Sequence, residues 1–258
     1  MTSDVLQSFI LPGAAALLAG AMNALAGGGS FISFPALLGA HLAPVNANVT
    51  NTVAMWPGEL ASVFAFRQEL RTGQRGVMPV ITAGALGGAL GAVSLLKTSQ
   101  ARFLSLLPWL LLFATALFAA SEPLRTRLNQ PSRSLTGAWS NPAGLFTGLL
   151  LVSFYTGYFG AGAGILAFTT LSLFNVQSLH KANALKALCT TLANGVAVII
   201  FIASKAVSWR HCIVMAGLAA MGGYAGATYS RRISARALRM IVITIGIAVS
   251  GYLFLQRR

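Results

Sequence analysis

The sequence predicts an all-α, polytopic membrane protein made of two homologous halves. Of its 258 residues, 56% are hydrophobic and only 9% are charged, whereas roughly a quarter of a soluble domain is charged. The apolar residues fall in runs of about 20, the length with which an α-helix crosses a bilayer. The second half also repeats the first at an offset of 135 residues, so that Asn48 corresponds to Asn183.

About eight apolar segments follow one another along the chain, and glycines interrupt the first segment of each half. The segments cover approximately residues 8–38, 46–66, 76–96, 103–121, 142–172, 181–204, 209–229 and 237–255. We therefore expect a first transmembrane repeat at 1–121, a basic connecting loop at 122–141 and a second repeat at 142–258. Two apolar halves that each open on a glycine break are typical of secondary transporters, whose substrate site lies between the halves.

The net charge of +14 fits a membrane location better than a nucleic-acid partner. Most lysines and arginines lie between apolar segments, where they contact anionic headgroups. We therefore expect the lipid bilayer as a partner, and no nucleic acid. The chain has only four acidic residues and no HExxH motif, so we find no set of residues typical of a catalytic site. We predict no enzyme activity, no cofactor and no metal site, and the sequence leaves a homo-oligomer open.

The orientation depends on whether the two glycine-broken segments cross the membrane. If all eight segments cross, ten lysines and arginines share one side with both termini and seven lie opposite. The positive-inside rule then places both termini in the cytoplasm, with the protein in the cell (inner) membrane. If the broken segments are re-entrant hairpins, each half crosses an odd number of times and the repeats are inverted. The sequence leaves both topologies open.

The first break predicts an anion site. Three consecutive glycines and Pro35 oppose a continuous helix, and a bilayer tolerates such a break only where protein or a water-filled cavity satisfies the freed amides. A half-helix that starts at Ser30 would present free N–H groups and the positive end of its dipole. The predicted substrate contacts at this break are Asn23, Gly27, Gly28, Gly29 and Ser30.

The second break repeats this device between Gly160 and Gly164. Here we predict substrate contacts from Tyr158, Gly162 and Gly164, with the hydroxyls of Tyr155 and Tyr158 as donors. The alternative for any glycine cluster is close helix packing. We prefer packing for the clusters at 84–91 and 217–226, and a binding site for the two breaks.

The second segment of each half carries a polar stripe at helical spacing. We expect both stripes to face the cavity between the halves. The stripe of the first half contains Asn48, Asn51, Met55 and Glu59, and the same positions of the second half hold Asn183, Lys186, Thr190 and Asn194. From these we predict Asn48, Asn51, Lys186, Thr190 and Asn194 as substrate-binding residues. Helix capping is the alternative function for Asn48 and Asn183.

Lys186 and Glu59 are ionisable residues inside apolar segments, where a charge costs about 2.5–3.5 kcal/mol. We predict that Lys186 attracts an anionic substrate and that Glu59 couples transport to protons or acts as a lock. The alternatives are a Lys186–Glu59 salt bridge that joins the halves, or a Lys186 that extends to the interface. Trp56 and Pro57 are predicted to kink their helix and to take part in gating.

Three stretches resemble the TauE/SafE family of membrane transporters: Asn23–Pro35, Ala47–Gly58, and the region from Asn183 to Asn194. The resemblance implies an integral inner-membrane carrier, associated with export of sulfite and organosulfur anions such as sulfoacetate and with sulfonate uptake. It covers both halves, although Thr169 stands where the first half has Pro35.

Together these patterns predict a secondary transporter that moves a small anion, such as sulfite or a sulfonate, by alternating access between two repeats. The half-helix starts, the hydroxyls and the lysine suit a small oxyanion. An anion channel and a non-transporting subunit of a larger complex are the alternatives.

Overall fold

A computed structural model describes residues 2–25, 28–71, 77–128, 142–174, 179–229 and 235–255, and the described residues form α-helices and short connections without strands. The helices are α1 (Thr2–Leu25), α2 (Ser30–Gly39), α3 (Pro44–Ala65), α4 (Arg67–Arg71), α5 (Val77–Lys97), α6 (Gln100–Leu128), α7 (Pro142–Tyr158), α8 (Ala163–Leu173), α9 (Leu179–Ala203), α10 (Trp209–Tyr229) and α11 (Ala235–Leu255). The all-α class is confirmed. Most of the predicted basic loop lies outside the described residues.

Several helices have the length and composition of membrane segments. Val77–Lys97, Gln100–Ser121 and His180–Ala203 are long and apolar enough to cross a bilayer. Shorter apolar helices cover Ser8–Asn23, Ser30–Gly39, Ala163–Leu173 and Met240–Leu255. A chain with this many apolar helices is a membrane-embedded, multi-pass protein.

The first glycine-broken segment folds back on itself as a helical hairpin. A Cβ built on Gly39, at the end of α2, would lie 3.2 Å from Leu11 Cδ2 in the first half of α1. At the other end of the hairpin, a Cβ on Gly29 would lie 2.9 Å from Asn23 Cγ, near the end of α1. Because later residues of α2 meet earlier residues of α1, the two helices are antiparallel.

The second broken segment has the same antiparallel form. A Cβ on Gly148 of α7 would lie 2.9 Å from Thr170 Cγ2 of α8. At the tip of the hairpin, the Tyr155 hydroxyl donates a hydrogen bond of 2.7 Å to the Ala161 carbonyl. Each hairpin therefore returns to the end of the helix bundle from which it started.

One end of the bundle brings distant parts of the chain together, and we call it the terminal end. Asn46 Nδ2 donates to the Ala206 carbonyl over 2.8 Å, and the Val45 amide donates to Gln100 Oε1 over 2.8 Å. His211 Nε2 lies 3.1 Å from the Ser8 carbonyl. Eight continuous crossings would have placed residues 39–45 and 205–210 on opposite faces of the bilayer, so that topology does not fit these contacts.

Small residues allow the helices to pack at short range. A Cβ on Gly87 of α5 would lie 2.6 Å from Ser153 Cβ of α7, and one on Gly226 of α10 would lie 2.7 Å from Ala21 Cα of α1. These separations are too short for a real Cβ, which is why glycine occupies the contacts. The packing interpretation of the clusters at 84–91 and 217–226 is thereby confirmed, except that Gly217 faces open space.

A buried aromatic cluster fixes the hairpin tips relative to each other. The Phe159 ring, at the tip of the second hairpin, packs edge-on against Phe34 of α2 with centroids 5.7 Å apart. Phe103 of α6 contacts both Phe159 and Tyr158, with centroids 6.4 and 5.9 Å apart. The tip of the second hairpin and the second helix of the first hairpin therefore share one buried core.

Candidate functional site

The first break is held open by side chains as well as by its glycines. Gly28 has φ +87°, a left-handed conformation that favours glycine. Asn23 Oδ1 accepts a hydrogen bond of 2.7 Å from the Gly29 amide, and α2 begins at the next residue, Ser30. The predicted half-helix start at Ser30 is confirmed, whereas Gly27 lies outside the described residues.

A polar contact links this half-helix to the stripe on α3. The Ser33 hydroxyl, in the first turn of α2, lies 3.2 Å from the Gly29 carbonyl and 2.6 Å from Asn51 Oδ1. Both Ser33 and Asn51 are buried. Ser33 was not among the predicted site residues, although its position three residues after Ser30 places it on the same helix face.

The second break has the same backbone device. Gly160 and Gly162 have φ +80° and +75°, and α8 begins at Ala163. The Lys186 side chain of α9 passes this helix start, because its Cδ lies 3.8 Å from a Cβ built on Gly164. The lysine that was predicted from its apolar surroundings is therefore found beside the N-terminal turn of a half-helix. A positive charge and a helix N-terminus both favour an anion.

Asn51 and Lys186 occupy corresponding places on α3 and α9. Each lies in the stripe of a long helix and reaches the first turn of the second helix of a hairpin. The two side chains differ in charge, so the two breaks offer different chemistry to a ligand.

Asn48 connects α3 to the second break. It is buried and donates from Nδ2 to the Tyr158 carbonyl over 3.1 Å. Because α3 already begins at Pro44, Asn48 lies inside the helix, and the capping alternative for this residue is wrong. Two tyrosine hydroxyls also have protein partners, since Tyr155 donates to Ala161 and Tyr158 lies 3.3 Å from Thr98 Oγ1.

The helices α3 and α9 meet through a set of polar contacts. Asn194 Nδ2 donates to both carboxylate oxygens of Glu59, over 2.8 and 3.0 Å. Trp56 Nε1 donates to the Thr191 carbonyl over 3.0 Å, and the Thr191 hydroxyl lies 3.3 Å from the Glu59 carbonyl. Thr191 was not among the predicted site residues, because the predicted polar stripe contains its neighbour Thr190.

The positions of Glu59 and Lys186 favour separate roles over the predicted alternative of a salt bridge. Glu59 is bound at Asn194, which lies eight residues further along α9 than Lys186, about 12 Å of helix. The Lys186 stem instead lies beside Gly164. The Lys186 side chain and the Glu59 carboxylate therefore lie at different positions along the length of α9.

Asn194 also faces the second break. Its side chain is only 8% exposed, and among the described residues none donates to its Oδ1 atom. This oxygen lies 3.9 Å from a Cβ built on Gly160. A buried acceptor without a donor costs about 1–3 kcal/mol, so a donor that enters the break would be stabilised here.

Thr190 and Pro57 were also predicted to take part in the site. The Thr190 hydroxyl lies 3.1 Å from the Lys186 carbonyl and 3.3 Å from the Ala187 carbonyl of its own helix. Pro57 is exposed, and α3 continues through it to Ala65. The role of Thr190 in substrate binding and that of Pro57 in gating stay predictions.

Comparison with known proteins identifies relatives of this chain. The family model described as sulfite exporter TauE/SafE matches residues 13–253. The chain belongs to the TauE/SafE family. Similar proteins are the probable membrane transporter protein ORF9 of Sinorhizobium sp, 27% identical over 92% of this chain and 88% of the relative, and YfcA of Escherichia coli strain K12, 29% identical over 92% and 86%. No solved structure matches the chain significantly.

A further relative in this group, a probable membrane transporter protein of Haemophilus influenzae, is 29% identical over 80% of this chain and 78% of the relative. The names of these relatives describe membrane transporters, and none describes an enzyme. The protein is therefore a membrane transporter of the TauE/SafE family, which agrees with its multi-pass helical structure.

Proposed function

We propose that this transporter carries a small anion, such as sulfite or a sulfonate, between the tips of its two hairpins in the cell (inner) membrane. The observation that carries the proposal is the position of Lys186 beside the start of α8. An oxyanion in the second break would meet a lysine charge and backbone N–H groups together, and charge-assisted hydrogen bonds of this kind are the stronger ones. The description of the family, sulfite exporter, supports a sulfur oxyanion.

The first break would supply the second part of the site. Asn23 and Asn51 hold its backbone and first turn in place, which leaves the start of α2 at Ser30 for the ligand. The first break lacks a lysine in this position, so we expect it to contribute less affinity than the second.

We further propose that transport proceeds by alternating access between two repeats. Corresponding residues contact each other across α3 and α9: Trp56 binds Thr191 and Glu59 binds Asn194, each pair separated by 135 positions. A residue that contacts its own counterpart lies close to a two-fold axis. The helix pairs agree with such an axis, because α1 packs on α10 and its counterpart α7 packs on α5. This supports a rocking motion of the halves about the α3–α9 contact.

Glu59, Trp56 and Pro57 would then form the coupling and gating region. The Glu59–Asn194 and Trp56–Thr191 hydrogen bonds join the two halves at the proposed axis, so a rocking motion of the halves would pivot on these bonds. A carboxylate at this place is suited to carry a proton during the cycle.

The test is uptake of labelled anions by proteoliposomes, with sulfite, sulfate, sulfoacetate, other sulfonates and carboxylates as the panel. We expect saturable uptake of a sulfur oxyanion, reduced roughly 10-fold or more in Lys186→Ala, because one hydrogen bond to a charged group contributes about 1.5–3 kcal/mol. Lys97→Ala, which changes an exposed lysine at the end of α5, is the matched control and should transport normally.

Other outcomes would point elsewhere. Flux that rises linearly with concentration would favour a channel, and no flux from folded protein would favour a subunit that requires a partner. Normal transport by folded Lys186→Ala would remove the lysine from the binding site.

A further inference from the structure

The hydrogen bonds at the terminal end determine the direction of each long helix. The first turn of α3 lies there, with Val45 and Asn46, and so does Gln100, the first residue of α6. The connection between α9 and α10 lies there as well, at Ala206. The helices α3, α5, α6, α9 and α10 therefore run alternately away from the terminal end and back to it.

The last helix returns to the terminal end. In α11, Phe254 packs edge-on against Trp109 of α6 with centroids 5.1 Å apart, and a Cβ on Gly246 would lie 3.1 Å from Thr115 Cβ. Later residues of α11 thus meet earlier residues of α6, which starts at the terminal end. Ser8, near the start of α1, also lies there. The described residues thus form six crossings and two hairpins, and α1 starts and α11 ends at the terminal end.

This topology changes the distribution of positive charge. The end opposite to the terminal end is called the far end. In sequence, the helix ends there and the stretches that join them contain eleven lysines and arginines, of which Arg75, Arg133, Arg231 and Arg232 lie outside the described residues and the others are Arg67, Arg71, Arg125, Arg127, Lys181, Arg236 and Arg239. The helix ends of the terminal end and the stretches next to them contain six, of which Arg257 and Arg258 lie outside the described residues and the others are Lys97, Arg102, Lys205 and Arg210. Eight crossings gave ten against seven with the majority on the side of the termini, so the hairpins both enlarge the bias and reverse it.

We infer that the far end lies against the anionic headgroups of the cytoplasmic leaflet and that both termini lie outside the cytoplasm. Lysines and arginines close to helix ends favour the cytoplasmic side, and acidic lipids there attract them. The orientation expected from eight crossings is thereby replaced by its opposite. This inference is independent of which substrate the transporter carries.

The experiment is cysteine labelling of the full-length protein in intact and lysed bacterial cells with a membrane-impermeant maleimide. The native Cys189 and Cys212 are buried, so the unaltered chain measures the background. Ser132→Cys reports the connection between α6 and α7, and Gln256→Cys reports the C-terminus. We expect Gln256→Cys to be labelled in intact cells and Ser132→Cys to be labelled only after lysis.

Each other pattern overturns part of the inference. Labelling of Ser132→Cys alone in intact cells would place the far end outside. Labelling of both variants from the same side would contradict the six-crossing topology. Ser134→Cys and Arg257→Cys replace either reporter if it fails to react after lysis.

A second experiment tests whether the charges cause the orientation. Replacing Arg231, Arg232, Arg236 and Arg239 by Gln leaves seven positive residues at the far end against six. We expect a mixed population, in which part of Gln256→Cys becomes protected in intact cells. Replacing Lys97 and Arg102 by Gln, the control at the terminal end, should leave the labelling unchanged. Unchanged labelling in both cases would show that helix packing, and not charge, sets the orientation.

Discussion

Gly222→Ala should destabilise the protein, because α10 and α1 are in backbone contact at this point. A Cβ on Gly222 would lie 2.7 Å from the Leu17 carbonyl carbon and 3.0 Å from Leu17 Cα. Carbon atoms pack best at about 3.5–4.0 Å, so the two helices would have to separate by about 1 Å. Overpacking of this kind costs about 1–3 kcal/mol.

Gly217→Ala is the matched control on the same helix. A Cβ there meets nothing within 4 Å, and alanine is favoured over glycine in a helix by up to about 1 kcal/mol. The two variants should therefore differ by about 1–4 kcal/mol in the free energy of unfolding. For a chain of this size each kcal/mol corresponds to roughly 2–4 °C in Tm.

The measurement is thermal unfolding of both purified variants in the same detergent, followed by the loss of the monodisperse peak in size-exclusion chromatography. We expect Gly222→Ala to melt below the unaltered protein and Gly217→Ala to melt at or above it. If Gly222→Ala melts together with Gly217→Ala, then α1 and α10 do not pack closely at Leu17 and the reasoning is refuted.

Two further predictions concern α5 and α3. Gly88→Ala should lower Tm more than Gly84→Ala. A Cβ on Gly88 would lie 2.6 Å from a backbone Cα of α9, whereas a Cβ on Gly84 would lie 3.2 Å from a carbonyl oxygen of α9. Equal melting temperatures of the two variants would contradict this. Glu59→Gln should keep anion exchange between equal concentrations on both sides but lose uptake driven by a proton gradient, since glutamine can accept the same hydrogen bond without carrying a proton. Gradient-driven uptake at the normal rate would exclude Glu59 as the coupling residue.

The sequence predicted the breaks and the charged residues because those signals are local. Three consecutive glycines disfavour a helix wherever they occur, and a lysine in an apolar segment is conspicuous at any position. The half-helix start at Ser30 was found where expected. The Lys186 stem lies beside Gly164, a contact that the sequence did not predict.

The return of each broken segment could not be predicted in the same way. Glycines end a helix, but the direction of the next helix depends on what it packs against. For α2 that partner is α1, through contacts such as Gly39 with Leu11, 28 positions apart in the chain. The hydrogen bond from Asn46 to Ala206 spans 160 positions and is equally invisible in a local pattern. The return of the broken segments, on which the number of crossings depends, therefore required the structure.

The proposed two-fold axis explains why the halves differ at Glu59 and Asn194. A residue close to such an axis faces its own counterpart, so identical side chains there must be complementary to themselves. Two glutamates would bring two carboxylates together, and one of them would have to take up a proton. Glutamate and asparagine avoid this, because the amide donates to both carboxylate oxygens. Asn48 and Asn183, further from the contact, keep the same identity in both halves.

Asn194→Asp tests this explanation with almost no change of shape. It replaces the donor by a second carboxylate facing Glu59, and we expect a lower Tm and weaker transport at neutral pH. The double variant Glu59→Gln/Asn194→Asp restores one amide donor and one carboxylate with their positions exchanged, so it should recover much of the Tm. Losses that simply add in the double variant, measured in a double-mutant cycle, would show that the two residues do not interact across the α3–α9 contact. Recovery of Tm without recovery of gradient-driven uptake would locate the structural role in the pair and the coupling role in the carboxylate of Glu59.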